Sequence, residues 1–593
     1  MKRVLLLCLA ALLVGLPLAS VTRTAKAAAP SVTQSGYVTV RDGTLLKYTV
    51  VRPTGPGPFP TLFTYDGYDA GSNPDPGYVA QYVPEGYAFI GVSLRGTGCS
   101  GGVWDFFQPA EATDGYDVIE WIARQAWSNG KVGMIGKSYP GITQLFVAEQ
   151  QPPHLVAIAP GHTYGDIYRD VAFPGGIFNY SFAALWSFIA QPYPSYSAAF
   201  NGVTAGDQTC AQNQANRPQN IPKNAFLQAL QHQWDDALIR ERSPIYDIDK
   251  INVPVYTVLS WQDEQVGPRS VNWVGQLAKD KPQLPLYATL TNGDHGMYRT
   301  APSLTDLNKY FDHYLKGIDN GYQNTPRIRV WWESGRNNGQ RAPGWVTSVG
   351  QWPPKTKTER WYLDQGSALG AKKGSGGPDP YAYAGPTGQG IQNPKYSGVT
   401  SQPDVYLWSV KPAPGTNAAY TSAPLTKDTP VLGSGNLDLW LASTAVDTDL
   451  QVTISEVRAD GQEEYVQAGW LRASHRKLDP TQSTATRPYQ THQQADQQLL
   501  TPGTPTEMQI EIFPFGHLFR AGSRIRISIE GPKFLPELWG FAALPLPAAN
   551  LVYHDAAHPS ALFLPVLPSL AVPDADRLPP PCGSVIRQPC RPA

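Results

Sequence analysis

Cysteine is scarce in this chain, five in 593 residues, and the first of them, Cys8, sits in the N-terminal apolar stretch. No pair of His or Cys residues has the short spacing of a zinc site, so neither a metal nor a cofactor is expected. Past residue 19 no run is long and apolar enough to form a membrane-spanning helix, and none is expected in the mature form. An excess of positive charge is missing as well. The formal net charge is −1, which leaves no broad basic surface and argues against nucleic acid as a partner. No internal repeat is found. Proline and glycine, by contrast, are plentiful at 56 and 55 residues, a composition that predicts many turns and a low share of helix.

The first 27 residues have the order of an export signal. Lys2-Arg3 precede the apolar run Val4 to Ala19, and Ala25-Lys26-Ala27 supplies a small-x-small cleavage site. Its removal leaves 43 basic against 48 acidic side chains, a net charge of about −5. Four cysteines remain, and an even number in an exported chain predicts two disulfides. Cys582 and Cys590 would close a small loop in the Pro-rich tail, which leaves Cys99 with Cys210. The mature protein is expected to be secreted, at the cell surface or periplasmic. Its length predicts two or three domains.

From Gln34 the pattern is that of a hairpin turning at Asp42-Gly43, then of continuous apolar runs separated by helical spacing. Thr61–Tyr65, Ala88–Ser93, Val132–Gly136, Val156–Pro160, Val253–Ser260 and Leu284–Leu290 are such runs. Strands of this kind predict a mostly parallel sheet covered on both faces, with the active site beyond the strands' carboxyl ends. Between about 165 and 243 the pattern changes to aromatic-rich helix around a Gln/Asn stretch, read as an inserted cap. A helix over 304–316 closes the sheet domain, whose two parts are 28–164 and 244–350. Residues 351–570 show short alternating runs between turns, the pattern of an antiparallel β jelly roll. A Pro-rich tail, extended apart from its disulfide loop, occupies 571–593.

Residues directly after the strands carry the chemistry. Gly136-Lys137-Ser138-Tyr139-Pro140-Gly141 forms a sharp strand-to-helix turn on which a serine hydroxyl is exposed. Asp263 follows one later strand and His295 another, and the chain order Ser, Asp, His is that of an α/β-hydrolase. In these roles His295 takes the Ser138 proton, while Asp263 orients the imidazole and stabilises its charged form. Glu264 is the runner-up acid. The oxyanion needs donors: the backbone N–H of Tyr139, and the phenol of Tyr68 after the first central strand.

These residues resemble bacterial Xaa-Pro dipeptidyl-peptidases and the wider group of cocaine-esterase-type and α-amino acid ester hydrolases. The elbow, Gly67-Tyr68-Asp69, Arg95-Gly96-Thr97, Trp261-Gln262-Asp263 and Asp294-His295 are similar to that group's landmarks in order. Asp447-Thr448-Asp449 and Arg520-Ala521-Gly522-Ser523-Arg524-Ile525-Arg526 resemble its C-terminal jelly roll. The resemblance implies the Ser138, Asp263, His295 triad, an oxyanion hole of Tyr68 and Tyr139, and a cap over the site. Pro140 departs from the usual elbow.

The expected substrate is a small peptide or an ester, and the first choice is cleavage of X-Pro or related N-terminal dipeptides. A free α-ammonium would need carboxylates near the acyl pocket, and Glu264, Asp166 and Asp170 are the candidates. A carboxylesterase or α-amino acid ester hydrolase is the alternative. An esterase would need only an apolar pocket, for which Trp104, Phe106, Tyr168 and Phe173 are the candidates. A reading of another class is a catalytically inert surface or glycan-binding protein.

Overall fold

A computed structural model of the chain describes residues 30–217, 223–383, 408, 411–532, 539–574 and 578–593. The expected export signal lies outside them. The hairpin at Asp42-Gly43 forms from β1 (Ser31–Thr39) and β2 (Leu45–Pro53). It is the antiparallel edge of a ten-stranded sheet. The continuous apolar runs become β3 (Phe59–Asp66), β4 (Ala88–Ser93), β5 (Ser128–Lys137), β6 (Leu155–Gly161), β7 (Val255–Ser260), β8 (Leu286–Thr291) and β9 (Ile328–Trp332). Their order is β1-β2-β4-β3-β5-β6-β7-β8-β9, and Trp345–Val349 adds the far edge. From β4 to β9 every pairing is parallel.

Both faces of these strands are covered, which is why they read as unbroken apolar runs rather than as alternation. Phe63, Ile90, Met134 and Ile158 join one core with α2 (Pro109–Ala123) and α3 (Tyr139–Glu149). Their chain neighbours Leu62, Phe89, Ile135 and Ala157 point the other way. They pack with α1 (Pro76–Tyr82) and the helix Ala301–Lys316.

Between β6 and β7 the chain leaves the sheet for a set of short helices, Tyr180–Leu185, Pro192–Thr204, Gln208–Asn216, Ala225–Gln231 and Ala237–Glu241. A disulfide from Cys99, just after β4, to Cys210 ties this cap to the sheet. The second sheet runs from Lys357–Asp364 to Cys590–Pro592, and its pairings are antiparallel except for Ala368–Gly370 with Asn417–Ser422. It packs directly behind the carboxyl end of β7, where Gln467 Nε2 donates to Trp261 O at 2.7 Å and Gln262 Nε2 donates to Val466 O at 3.1 Å. The tail is more integral than an extended segment. Cys582–Cys590 closes its loop, Val585, Ile586 and Gln588 are buried, and Cys590–Pro592 pairs with the strand Gln462–Arg472.

Candidate active site

Ser138 stands between β5 and α3 with φ 64° and ψ −132°, a backbone region that costs a non-glycine residue about 1–3 kcal/mol and persists only where neighbours enforce it. The neighbours do so here. Ser138 N–H donates to Gly161 O at 2.9 Å, and the Ser138 carbonyl accepts from Gly141 and Ile142. Gly136 (φ 153°) must be bare, because a Cβ there would meet the Pro140 ring at 2.7 Å. Pro140 occupies the first turn of α3, where a missing N–H costs no hydrogen bond. The departure from the usual elbow is therefore accommodated locally. Lys137 is spent on the framework: its Nζ donates to His295 O at 3.0 Å, and burial lowers its pKa.

His295 is held by three consecutive residues at the end of β7. Gln262 Oε1 accepts from Gly293 N–H at 3.1 Å, and Glu264 Oε2 accepts from His295 N–H at 3.1 Å. Asp263 faces His295 Nδ1 at 2.9 and 3.0 Å. The Asp263 carboxylate also accepts the backbone N–H groups of Gln265 and Val266, at 2.8 and 3.0 Å. Burial alone would push its pKa up. The charge of His295 and the hydrogen bonds from His162 and His295 outweigh that and hold it well below the carboxylate range. Its proton-free form is thus available to fix the imidazole.

A second histidine shares this carboxylate. His162 Nδ1 lies 2.8 Å from Asp263 Oδ2, and its Nε2 accepts from Tyr298 N–H at 3.1 Å. That second contact places the His162 proton on Nδ1, and burial lowers its pKa despite the nearby acid. The ligand atoms of His162, Asp263 and His295 lie within 4.8 Å of one another. Each of the facing Nδ1 atoms is engaged by the carboxylate, so hydrogen bonding accounts for the cluster. His162 was not singled out from the sequence, although it lies two residues beyond the apolar run Val156–Pro160.

Ser138 and His295 line one cavity, and His295 Nε2 is buried without a hydrogen-bond partner among the described residues. The Ser138 side chain interacts with the Tyr68 hydroxyl, which also accepts from Trp186 Nε1 at 3.1 Å. Burial pushes the Tyr68 phenol up to about 12, so it keeps its proton at neutral pH. Tyr139 begins α3, and its N–H belongs to the helix's first turn, where no intrahelical acceptor exists. Its ring is buried, and its hydroxyl accepts from Trp104 Nε1 at 2.8 Å.

Two cavities flank the serine. One, about 100 Å³, is apolar and lined by Phe106, Ile142, Phe182, Trp186, Ile239 and Val266 among others; Arg242 is the only charged residue in its wall among the described residues. The other, about 380 Å³, is polar and includes Asp66, Asp69, Asp75, Lys137 and Arg299. Burial, ahead of the opposing backbone hydrogen bonds, raises Asp66 to about 7.

Several candidates from the sequence do not meet at the serine. Asp166 pairs with Arg169 at 2.8 Å. Asp170 pairs with Arg269 at 3.2 Å and accepts from Gly165 and Asp166 N–H. Neither lines either cavity. Glu264 is taken up by His295 N–H and Arg587. Trp104 stands behind Tyr139 rather than in the cavity wall. Tyr168 and Phe173 stack on each other at 4.9 Å near His492 of the second sheet domain. Of the four aromatics proposed for the acyl pocket, Phe106 alone lines it. Arg95 turns away to Asp114 at 2.6 Å and to Asp42 at 3.0 Å.

The strand order, the elbow at Ser138 and the Asp263–His295 pair, all beyond the carboxyl ends of interior strands, are those of an α/β serine hydrolase. Residues 42–297 match the X-Pro dipeptidyl-peptidase (S15 family), and residues 320–562 match the X-Pro dipeptidyl-peptidase C-terminal non-catalytic domain. The protein carries both domains and is a serine hydrolase of this type. A putative serine esterase of Mycobacterium bovis is 27% identical over 82% of this chain and 84% of its own length. The cocaine esterase of a Rhodococcus species is 25% identical over 91% and 99%. A CocE/NonD family hydrolase from Staphylococcus aureus has the same fold, with a TM-score of 0.72 at 24% identity, over 91% of this chain and 94% of its own.

Proposed function

We propose that this protein is a carboxylesterase acting through an acyl-enzyme on esters whose acyl group is apolar and uncharged. The observation that carries the reading is the apolar cavity beside Ser138, whose described wall contains no carboxylate and one cation, Arg242. An N-terminal ammonium placed there would find no counter-charge and one like charge, a costly burial. The three acids that sequence offered for it are committed elsewhere.

In the reaction, Ser138 Oγ attacks the ester carbonyl carbon while His295 Nε2 takes its proton. Asp263 keeps the other imidazole nitrogen protonated and stabilises the imidazolium. The oxyanion is met by Tyr139 N–H and the Tyr68 phenol. His295 then protonates the departing alcohol, and a water deprotonated by the same nitrogen releases the acid and restores Ser138. The two disulfides and the leader-like N-terminus support export before this activity is expressed.

The family match keeps the dipeptidyl-peptidase as a second reading, and Asp66 and Asp69 in the polar cavity are the carboxylates that would hold its ammonium. Turnover of p-nitrophenyl butyrate and benzoate is to be compared with Gly-Pro- and Ala-Pro-anilides, free and N-blocked. Efficient ester turnover with little on the anilides is expected. Preference for the free-amine anilides, lost on N-blocking, overturns the esterase reading.

A further inference from the structure

The loop that presents His295 is held from two sides. Gln262, Asp263 and Glu264 hold it from β7, as described above. The second hold comes from the far end of the chain, in residues beyond both family matches, the second of which ends at 562. Arg587 lies 3.1 Å from Glu264 Oε2, the same oxygen that accepts the His295 N–H. The next residue, Gln588, accepts from Asn292 Nδ2 at 3.2 Å, three positions before His295. Ile586 N–H donates to Ser334 O at 2.8 Å.

The tail is built to deliver this contact. Cys582–Cys590 closes the loop at an eight-residue separation. Beyond the disulfide, Cys590–Pro592 pairs with the strand Gln462–Arg472, and Arg591 pairs with Glu463 at 2.8 Å. Between these anchors Arg587 adopts φ 65°, a left-handed conformation that an arginine takes only where its surroundings enforce it. Glu264 is only 8% exposed. A carboxylate at that depth left without its cation turns toward water, and that movement weakens its grip on the His295 N–H.

We propose that the disulfide-closed C-terminal loop is a positioning element of the active site, with Arg587 acting through Glu264 to set the backbone of His295. Arg587 lines neither cavity beside Ser138, so its effect should fall on the proton-transfer step and not on substrate capture. This rests on the serine-hydrolase reading of Ser138 and His295, not on the choice of ester over peptide.

The test uses the full-length protein and the variants Arg587→Ala, Arg587→Lys and Cys582→Ser/Cys590→Ser. Each is titrated with a fluorophosphonate so that rates refer to competent molecules. The expected result for Arg587→Ala is a kcat about ten- to a hundredfold lower, the range of a misplacement near 1 Å. KM should stay within about twofold, with phosphonylation of Ser138 slowed by a similar factor. Arg587→Lys should recover most of that loss, and the cysteine pair should fall between. The pH dependence of kcat/KM should shift in Arg587→Ala and return in Arg587→Lys. Unchanged kcat, phosphonylation rate and pH profile in Arg587→Ala overturn the proposal. So does a loss accounted for wholly by fewer titratable molecules. Failure of the wild type to be labelled at all removes the serine-hydrolase reading itself, and with it this one.

Discussion

Replacing Tyr68 by phenylalanine removes one hydroxyl and leaves the surrounding shape intact. In the folded chain that hydroxyl meets the Ser138 side chain and accepts a hydrogen bond from Trp186 Nε1. Its proton is secure, because burial has pushed the phenol up to about 12, and it can donate to an oxyanion across the usable pH range. Losing one of two oxyanion donors costs about 100- to 1,000-fold in kcat, or about 3–4 kcal/mol. The apolar cavity is untouched, so KM should stay within about twofold. Stability should drop by only about 1 kcal/mol, for the orphaned indole N–H. Stopped-flow turnover of a p-nitrophenyl ester separates the burst from the steady state, and both phases should slow, since each passes through an oxyanion. A kcat within about threefold of wild type would leave the phenol as packing and assign the second donor elsewhere.

Three further outcomes follow from the same geometry. Gly67→Ala would place a Cβ 2.6 Å from the Tyr139 ring, so a loss of about 1–3 kcal/mol and a lower kcat are expected; an unchanged Tm contradicts this. Removing the Cys99–Cys210 bridge, which spans 111 residues, should cost about 4–5 kcal/mol in the chain-entropy limit, and an equal Tm for the double serine variant would refute it. His475 is lowered to about 3 from 6.5, chiefly by burial and then by Arg472. The unfolded chain binds a proton below about 6.5 that the folded chain refuses, so this contribution is complete above that pH and is lost as pH falls toward 3. His475→Asn should flatten the acid slope of unfolding free energy by about 1.4 kcal/mol per pH unit, and an unaltered slope would show that His475 is not responsible.

What was legible in the sequence lies at the ends of parallel strands. A strand buried on both faces must be a continuous apolar run, so Ser138, Asp263 and His295 could be picked out by where those runs stop. His162 follows the same rule, but a histidine after Pro160 and Gly161 carries no motif of its own. The commitments of the acids are not legible for a different reason. Local sequence says nothing of a partner 99 residues away, as Arg269 is from Asp170, or 323 positions away, as Arg587 is from Glu264. The cap wall was hidden because its short helices are aromatic on inner and outer faces alike: Trp186 lines the cavity while Phe188 and Phe200 are exposed. Periodicity cannot separate the two sides of such segments. The Pro-rich composition of the tail carries no sign of the buried contacts it makes.

Everything proposed for this protein depends on Ser138 being the atom that is acylated. Intact-mass analysis after reaction with a fluorophosphonate, followed by peptide mapping, reads that directly. A single adduct on the peptide containing Ser138, absent in Ser138→Ala and formed far more slowly in His295→Ala, is the predicted result. An adduct on another residue, or equal labelling of the Ser138→Ala protein, would contradict it.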